Sequence, residues 1–155
     1  FHLQIFFLNS RFNQIQKISE TNNIVIQDRS IYEDYEVFTK TLHDSGVLKE
    51  REFNNYKRLY NTILKYTKEP DLLIYLKNNK IDNIISNIKK RSRDFEKEID
   101  RNYLIKLNQY YKKWIEKHPK KRILKIDLTD YDFIKDPEYL KKIYSMIENK
   151  INQLN

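Results

Sequence analysis

Cysteine is missing from the 155 residues, glycine occurs once and proline three times. The lack of cysteine excludes disulfides and thiolate-held metals and fits a reducing compartment, so we expect a cytoplasmic protein. No apolar run is long enough to cross a bilayer and no signal-peptide pattern is present, so no membrane is expected. His2, His43 and His118 are scattered, and no metal site is read from them. Charge is what the chain has in plenty: 30 Lys and Arg stand against 22 Asp and Glu, a net +8. Such a balance points to an anionic partner, whether nucleotide, nucleic acid or membrane surface. The length suits a single domain, residues 1–155, with a sizeable core.

Phe1, Ile5, Leu8, Phe12 and Ile15 recur at helical spacing and predict a core-facing stripe on a helix over 1–19. Gln4, Phe7 and Arg11 make a second stripe that combines an amide, a ring and a guanidinium. Such groups on one face can read the edge of a nucleobase, or can simply be a polar face in water. Ile24 to Ile26 reads as a short buried strand, and Asp28-Arg29-Ser30 follows it at once. Ligands bind beyond the carboxyl ends of strands in open α/β sheets, where a carboxylate can take a hydroxyl proton and a guanidinium can clamp phosphate. The plainer alternative is that Asp28 and Ser30 cap the next helix.

That helix is expected over 31–44, with Asp34, Phe38 and Leu42 on one face and Ser45-Gly46 ending it. Asp34 could pair with Arg11 beside Phe38, which would push its pKa down. A helix over 49–67 carries Phe53, Tyr56, Tyr60 and Ile63. Leu72 to Leu76 reads as a second strand, and Ile81, Ile84, Ile85 and Ile88 mark another helix. That helix ends in Lys89-Lys90-Arg91-Ser92-Arg93, either cations that suit a helix C-terminus or a basic lid over phosphates. A helix over 98–117, a third strand from Ile123 to Leu128 and a last helix opened by Asp136-Pro137 complete the pattern. Strands separated by helices imply a parallel sheet and an α/β fold.

In this order and with these spacings, the segments resemble the deoxyribonucleoside kinases, in the branch that acts on deoxyadenosine, deoxyguanosine and deoxycytidine. The residues that carry the resemblance are Gln4 with Arg11, Asp28-Arg29-Ser30, Asp34 with Phe38, Pro70-Asp71 before a strand, Arg91-Ser92-Arg93 with Glu96, and Tyr103-Leu104. The resemblance implies a three-layer P-loop kinase fold and transfer of the γ-phosphate of ATP, with Mg2+, to a deoxynucleoside 5'-hydroxyl. It implies Asp28 as general base and Arg29 on the reacting oxygens. Gln4, Phe7, Arg11, Asp34 and Phe38 would line the base site, with Glu96 near the sugar 3'-hydroxyl. Arg91 and Arg93 would be lid arginines, and Asp132 and Phe133 would touch the donor adenine. The Arg11–Asp34 pair leans away from thymidine, toward purine deoxynucleosides first and deoxycytidine second. A homodimer is implied for the full-length protein.

The sequence departs from the family in several places. The phosphate-cradling pattern Gly-x-x-x-x-Gly-Lys-Ser/Thr is absent, and with it the segment that would hold most of the Mg2+ and ATP. Asn87 stands where relatives often carry another lid arginine, Ser92 where glycine is common, and Phe7 is bulkier than its counterparts. The chain starts at Phe1, already inside a helical pattern. It is therefore expected to be a fragment lacking the N-terminal strand and P-loop, and by itself poorly stable and inactive. Two other functions fit less of the sequence. A basic helical nucleic-acid-binding module would use the charge and the 12 tyrosines, but no recognised motif supports it. Another P-loop nucleotide kinase, such as a thymidylate kinase relative, would take an acceptor bearing its own phosphate.

Overall fold

A computed structural model of the chain describes residues 1–93, 99–132 and 134–154, with the backbone alone of Lys121. These pack as two compact units, Phe1–Glu69 with Lys106–Trp114, and Pro70–Ile105 with Ile115–Asn155.

The first unit is helical. α1 (His2–Ser19) buries Leu8 and Ile15, as its apolar spacing predicts. A three-part helix follows: α2 (Ile31–Glu33), a π-helical turn (Asp34–Thr39) and α3 (Lys40–Asp44). It ends as expected at Gly46, whose φ of +74° lets the Gly46 and Val47 amides reach the carbonyls of His43 and Leu42. α4 (Glu50–Leu64) turns Tyr56 and Tyr60 inward. They meet Leu8, Ile31 and Tyr35 in the core, where the Tyr35 and Tyr60 rings stack 4.3 Å apart. Each fully buried side chain of this size stabilises the unit by roughly 1.5–3 kcal/mol.

The second unit holds the sheet. β1 (Leu73–Lys77) and β2 (Ile123–Asp127) pair in parallel, from Leu73 opposite Ile123 to Lys77 opposite Asp127. α5 (Ile81–Arg91) leaves the end of β1, and α6 (Arg101–Glu116) leads back toward β2 through a short 3-10 turn (Lys120–Arg122). α7 (Pro137–Asn152) packs on β2 and buries Ile143. Asp136 caps it by accepting from the Glu138 and Tyr139 amides at 3.1 and 3.0 Å, and Pro137 needs no partner at the first helical position.

One expected strand does not form. Ile24, Val25 and Ile26 are 85, 44 and 90 % exposed and carry no strand hydrogen bonds. A strand exists only through a neighbour's ladder. Among the described residues, none pairs with this run.

Candidate functional site

The Asp28-Arg29-Ser30 turn sets the start of α2. Ser30 is extended, and its hydroxyl accepts from the Glu33 amide at 3.2 Å while the Glu33 carboxylate accepts from the Ser30 amide at 3.3 Å. This reciprocal cap satisfies two donors that a helix start leaves open. The capping role expected of the turn therefore falls to Ser30, and Asp28 lies outside it, exposed. Arg29 is held at φ +61°, a left-handed conformation that costs an ordinary residue about 1–2 kcal/mol. The turn seats its guanidinium over the Phe38 ring, 4.7 Å from the centroid. Tyr111 of α6 meets the same ring edge-on at 6.3 Å, and its hydroxyl donates to Glu33. Phe38 is thus fixed by a cation on its face and a ring at its edge.

The π-helical turn places Asp34. Thr39 donates its hydroxyl to the Asp34 carbonyl at 2.8 Å, and Thr41 does the same to Val37 at 2.7 Å. Wide turns of this kind are rare and recur at functional sites. Asp34 is 7 % exposed, and its Oδ2 lies 3.6 Å from Arg11 Nε. The expected pair is therefore present, but the separation is too long for a hydrogen bond. Both facing atoms are buried and, among the described residues, neither has a hydrogen-bond partner. Arg11 is steadied from behind, donating from Nη1 to Gln14 at 2.9 Å, and Gln14 also accepts from Gln27 at 3.1 Å.

The expected downward shift of Asp34 is overturned. Its pKa is pushed up to about 6, because loss of water outweighs the attraction of Arg11; Glu33 adds to the rise and Arg29 opposes it. A cation 3.6 Å away and unbonded does not replace the hydration that the carboxylate has lost. Burial also raises the Tyr56 hydroxyl, which is sealed in the core beneath this site.

Gln4 and Phe7 lie on the Arg11 face of α1, two turns and one turn before it respectively, and are partly exposed. The first unit thus brings Arg11, Asp34, Arg29 and Phe38 together, with Gln4 and Phe7 along the same helix. In the second unit, Arg91 closes α5 and Arg93 follows, both exposed. Ser92 between them is left-handed, at φ +51°. Asp132 shapes its own loop, where its carbonyl accepts from the Lys135 and Asp136 amides at 2.9 and 3.0 Å. Glu96 and Phe133 lie outside the described residues. Sequence reasoning missed Thr39 and Tyr111. The pair Thr39 and Thr41 inside a helical run was the available signal, since such hydroxyls back-bond to carbonyls and bend helices. Among the described residues no group of three or more acids or histidines could hold a metal ion, so none is assigned to Mg2+.

The sequence model of the deoxynucleoside kinase family matches residues 1–152. The chain is 34 % identical over 154 residues to a deoxyadenosine/deoxycytidine kinase of Bacillus subtilis, covering 98 % of itself and 70 % of that relative. It is 36 % identical over 143 residues to a deoxyadenosine kinase of Dictyostelium discoideum, covering 92 % of itself and 57 % of that relative. Among solved structures, a deoxyadenosine kinase from M. mycoides with dCMP and dCDP bound superposes with a TM-score of 0.77 at 27 % identity, over 97 % of this chain and 72 % of that one. The same M. mycoides enzyme with dATP bound gives 0.74 at 26 % identity, covering 93 % of this chain and 73 % of that one. The chain belongs to the deoxynucleoside kinase family, and its α/β fold with a parallel sheet is the one that family shares.

Proposed function

We propose that the full-length protein transfers the γ-phosphate of ATP to the 5'-hydroxyl of a deoxyribonucleoside, a purine deoxynucleoside first and deoxycytidine second. One observation carries the choice of base: Arg11 Nε and Asp34 Oδ2 are buried and face each other at 3.6 Å, and among the described residues neither has a hydrogen-bond partner. A donor beside an acceptor, neither of them hydrogen-bonded, complements a base edge with a ring nitrogen beside an exocyclic amine, as adenine and cytosine present. Thymine has no exocyclic amine, so it would leave Asp34 unsatisfied in a dry site. Phe38 supplies the ring against which the base stacks, and Gln4 the amide that completes the edge.

In the transfer step, the 5'-oxygen bonds to the γ-phosphorus, the bond to the β,γ-bridging oxygen breaks, and ADP leaves. The hydroxyl proton passes to Asp28, whose exposure keeps it open to substrate. Arg29 gathers the reacting oxygens after leaving the Phe38 face. Arg91 and Arg93 neutralise charge on the phosphates, and Asp132 contacts the donor base. Positioning and electrostatics supply most of the rate in such reactions, and Mg2+ accompanies the ATP when bound.

The test uses the full-length protein and its Asp28→Asn variant with four deoxynucleosides, ATP and Mg2+. The proposal expects phosphorylation by the parent and a 100- to 10,000-fold loss in the variant, roughly the range of general-base catalysis. A variant within about tenfold of the parent would assign the base to another residue. No phosphorylation of any deoxynucleoside would overturn the function.

A further inference from the structure

Beyond the carboxyl ends of β1 and β2, one residue has every polar group engaged. The Thr129 amide donates to Asp127 Oδ1 at 2.9 Å, at the end of β2. Its hydroxyl accepts from the Asn79 amide at 3.0 Å, in the turn between β1 and α5. Its carbonyl accepts from the Asn83 side chain at 2.8 Å, in the first turn of α5. Asp127 is gathered into the same junction, accepting from Lys77 at 3.3 Å and from the Asn79 side chain at 3.4 Å. The thirteen-residue span from Asn79 to Arg91 therefore starts from a fixed joint, and that joint opens the loop that carries Asp132.

Resting on the function proposed above, we propose that Thr129 is a positioning residue that sets the angle of α5, and through it the placement of Arg91 on the phosphates of the nucleoside triphosphate. The lever is mechanical. From Asn83 to Arg91 a helix rises about 12 Å, so a tilt of roughly 10° at its base moves the far end by about 2 Å. Misplacements of about 1 Å are enough to cost about 100-fold in rate where groups must meet developing charge. The Asp82–Arg101 ion pair holds the other side of the first turn of α5, so loss of the Thr129 hydroxyl loosens the helix without freeing it. The hydrogen bonds of Thr129 all serve the junction of β1, α5 and β2, so its effect is expected on the donor.

The experiment compares the full-length parent with Thr129→Val and Thr129→Ser. Valine keeps the shape and removes the acceptor for the Asn79 amide, whereas serine keeps the acceptor. Expected results are a KM for ATP raised about tenfold or more in Thr129→Val, an unchanged KM for the deoxynucleoside, and near-parental values in Thr129→Ser. An unchanged KM for ATP in a folded Thr129→Val would overturn the proposal, as would equal loss with both substrates, which marks a merely structural role. If the parent phosphorylates no deoxynucleoside, the underlying function fails instead, and hydrogen exchange still tests the joint. Faster exchange of the α5 amides in Thr129→Val, restored in Thr129→Ser, is expected; identical exchange in all three proteins would refute the joint.

Discussion

Replacing Asp34 by asparagine is predicted to stabilise the folded protein above pH 7 and to do nothing at pH 4. The reasoning starts from the raised pKa of Asp34, about 6, against an ordinary value of 3.8. The folded state binds the proton more tightly than the unfolded state does. Between those two values the native protein holds more protons, so stability falls as pH rises, and the cost is complete above pH 6. A shift of about two units corresponds to about 2–3 kcal/mol at 1.36 kcal/mol per unit. Protonated aspartic acid and asparagine are close in shape and charge, and Arg11 faces a neutral partner in both. The variant should therefore match the parent near pH 4 and exceed it by about 2 kcal/mol at pH 8. Urea unfolding at half-unit steps from pH 4 to pH 8, on parent and variant, reads the difference directly. If the pair with Arg11 outweighed burial, the slope would reverse and the variant would be the less stable protein at pH 8. That outcome would refute the account of this site.

Three further predictions follow from backbone and cap geometry. Gly46→Ala should cost about 1 kcal/mol in chemical denaturation, because φ is +74° there while a Cβ would meet nothing within 4 Å. An unchanged midpoint would contradict the role given to that glycine. Ser30→Ala should cost about 1 kcal/mol by removing the cap of α2, and Ser30→Asp should cost far less. Ser92→Gly should stabilise the end of α5 by about 0.5–1 kcal/mol by relieving the left-handed serine, visible as slower amide exchange in the last turn of that helix.

Much of the fold was legible because helical spacing is a strong signal. The stripes of α1 and α4, the cap at Asp136-Pro137 and the stop at Gly46 each follow from local chemistry that the chain carries with it. The failed strand at Ile24 to Ile26 marks the limit of that kind of inference. Three apolar residues specify burial only if something is there to pair with them, and pairing is not a local property. The Arg11–Asp34 pair was legible, since the two residues do meet, but its electrostatics were not. Whether a carboxylate beside an arginine rises or falls in pKa depends on a few tenths of an ångström and on the water left at the pair. Spacing along a helix encodes neither. The left-handed Arg29 was equally hidden, because arginine is not a residue that announces such a conformation.

The central claim is that the Arg11–Asp34 pair in this kinase family member reads an amine-bearing base. Its most direct test is kcat/KM for deoxyadenosine, deoxyguanosine, deoxycytidine and thymidine with ATP, measured on the full-length protein. The account predicts phosphorylation of at least one of the first three, with thymidine slower by about 100-fold or more. Thymidine as the preferred substrate would contradict it.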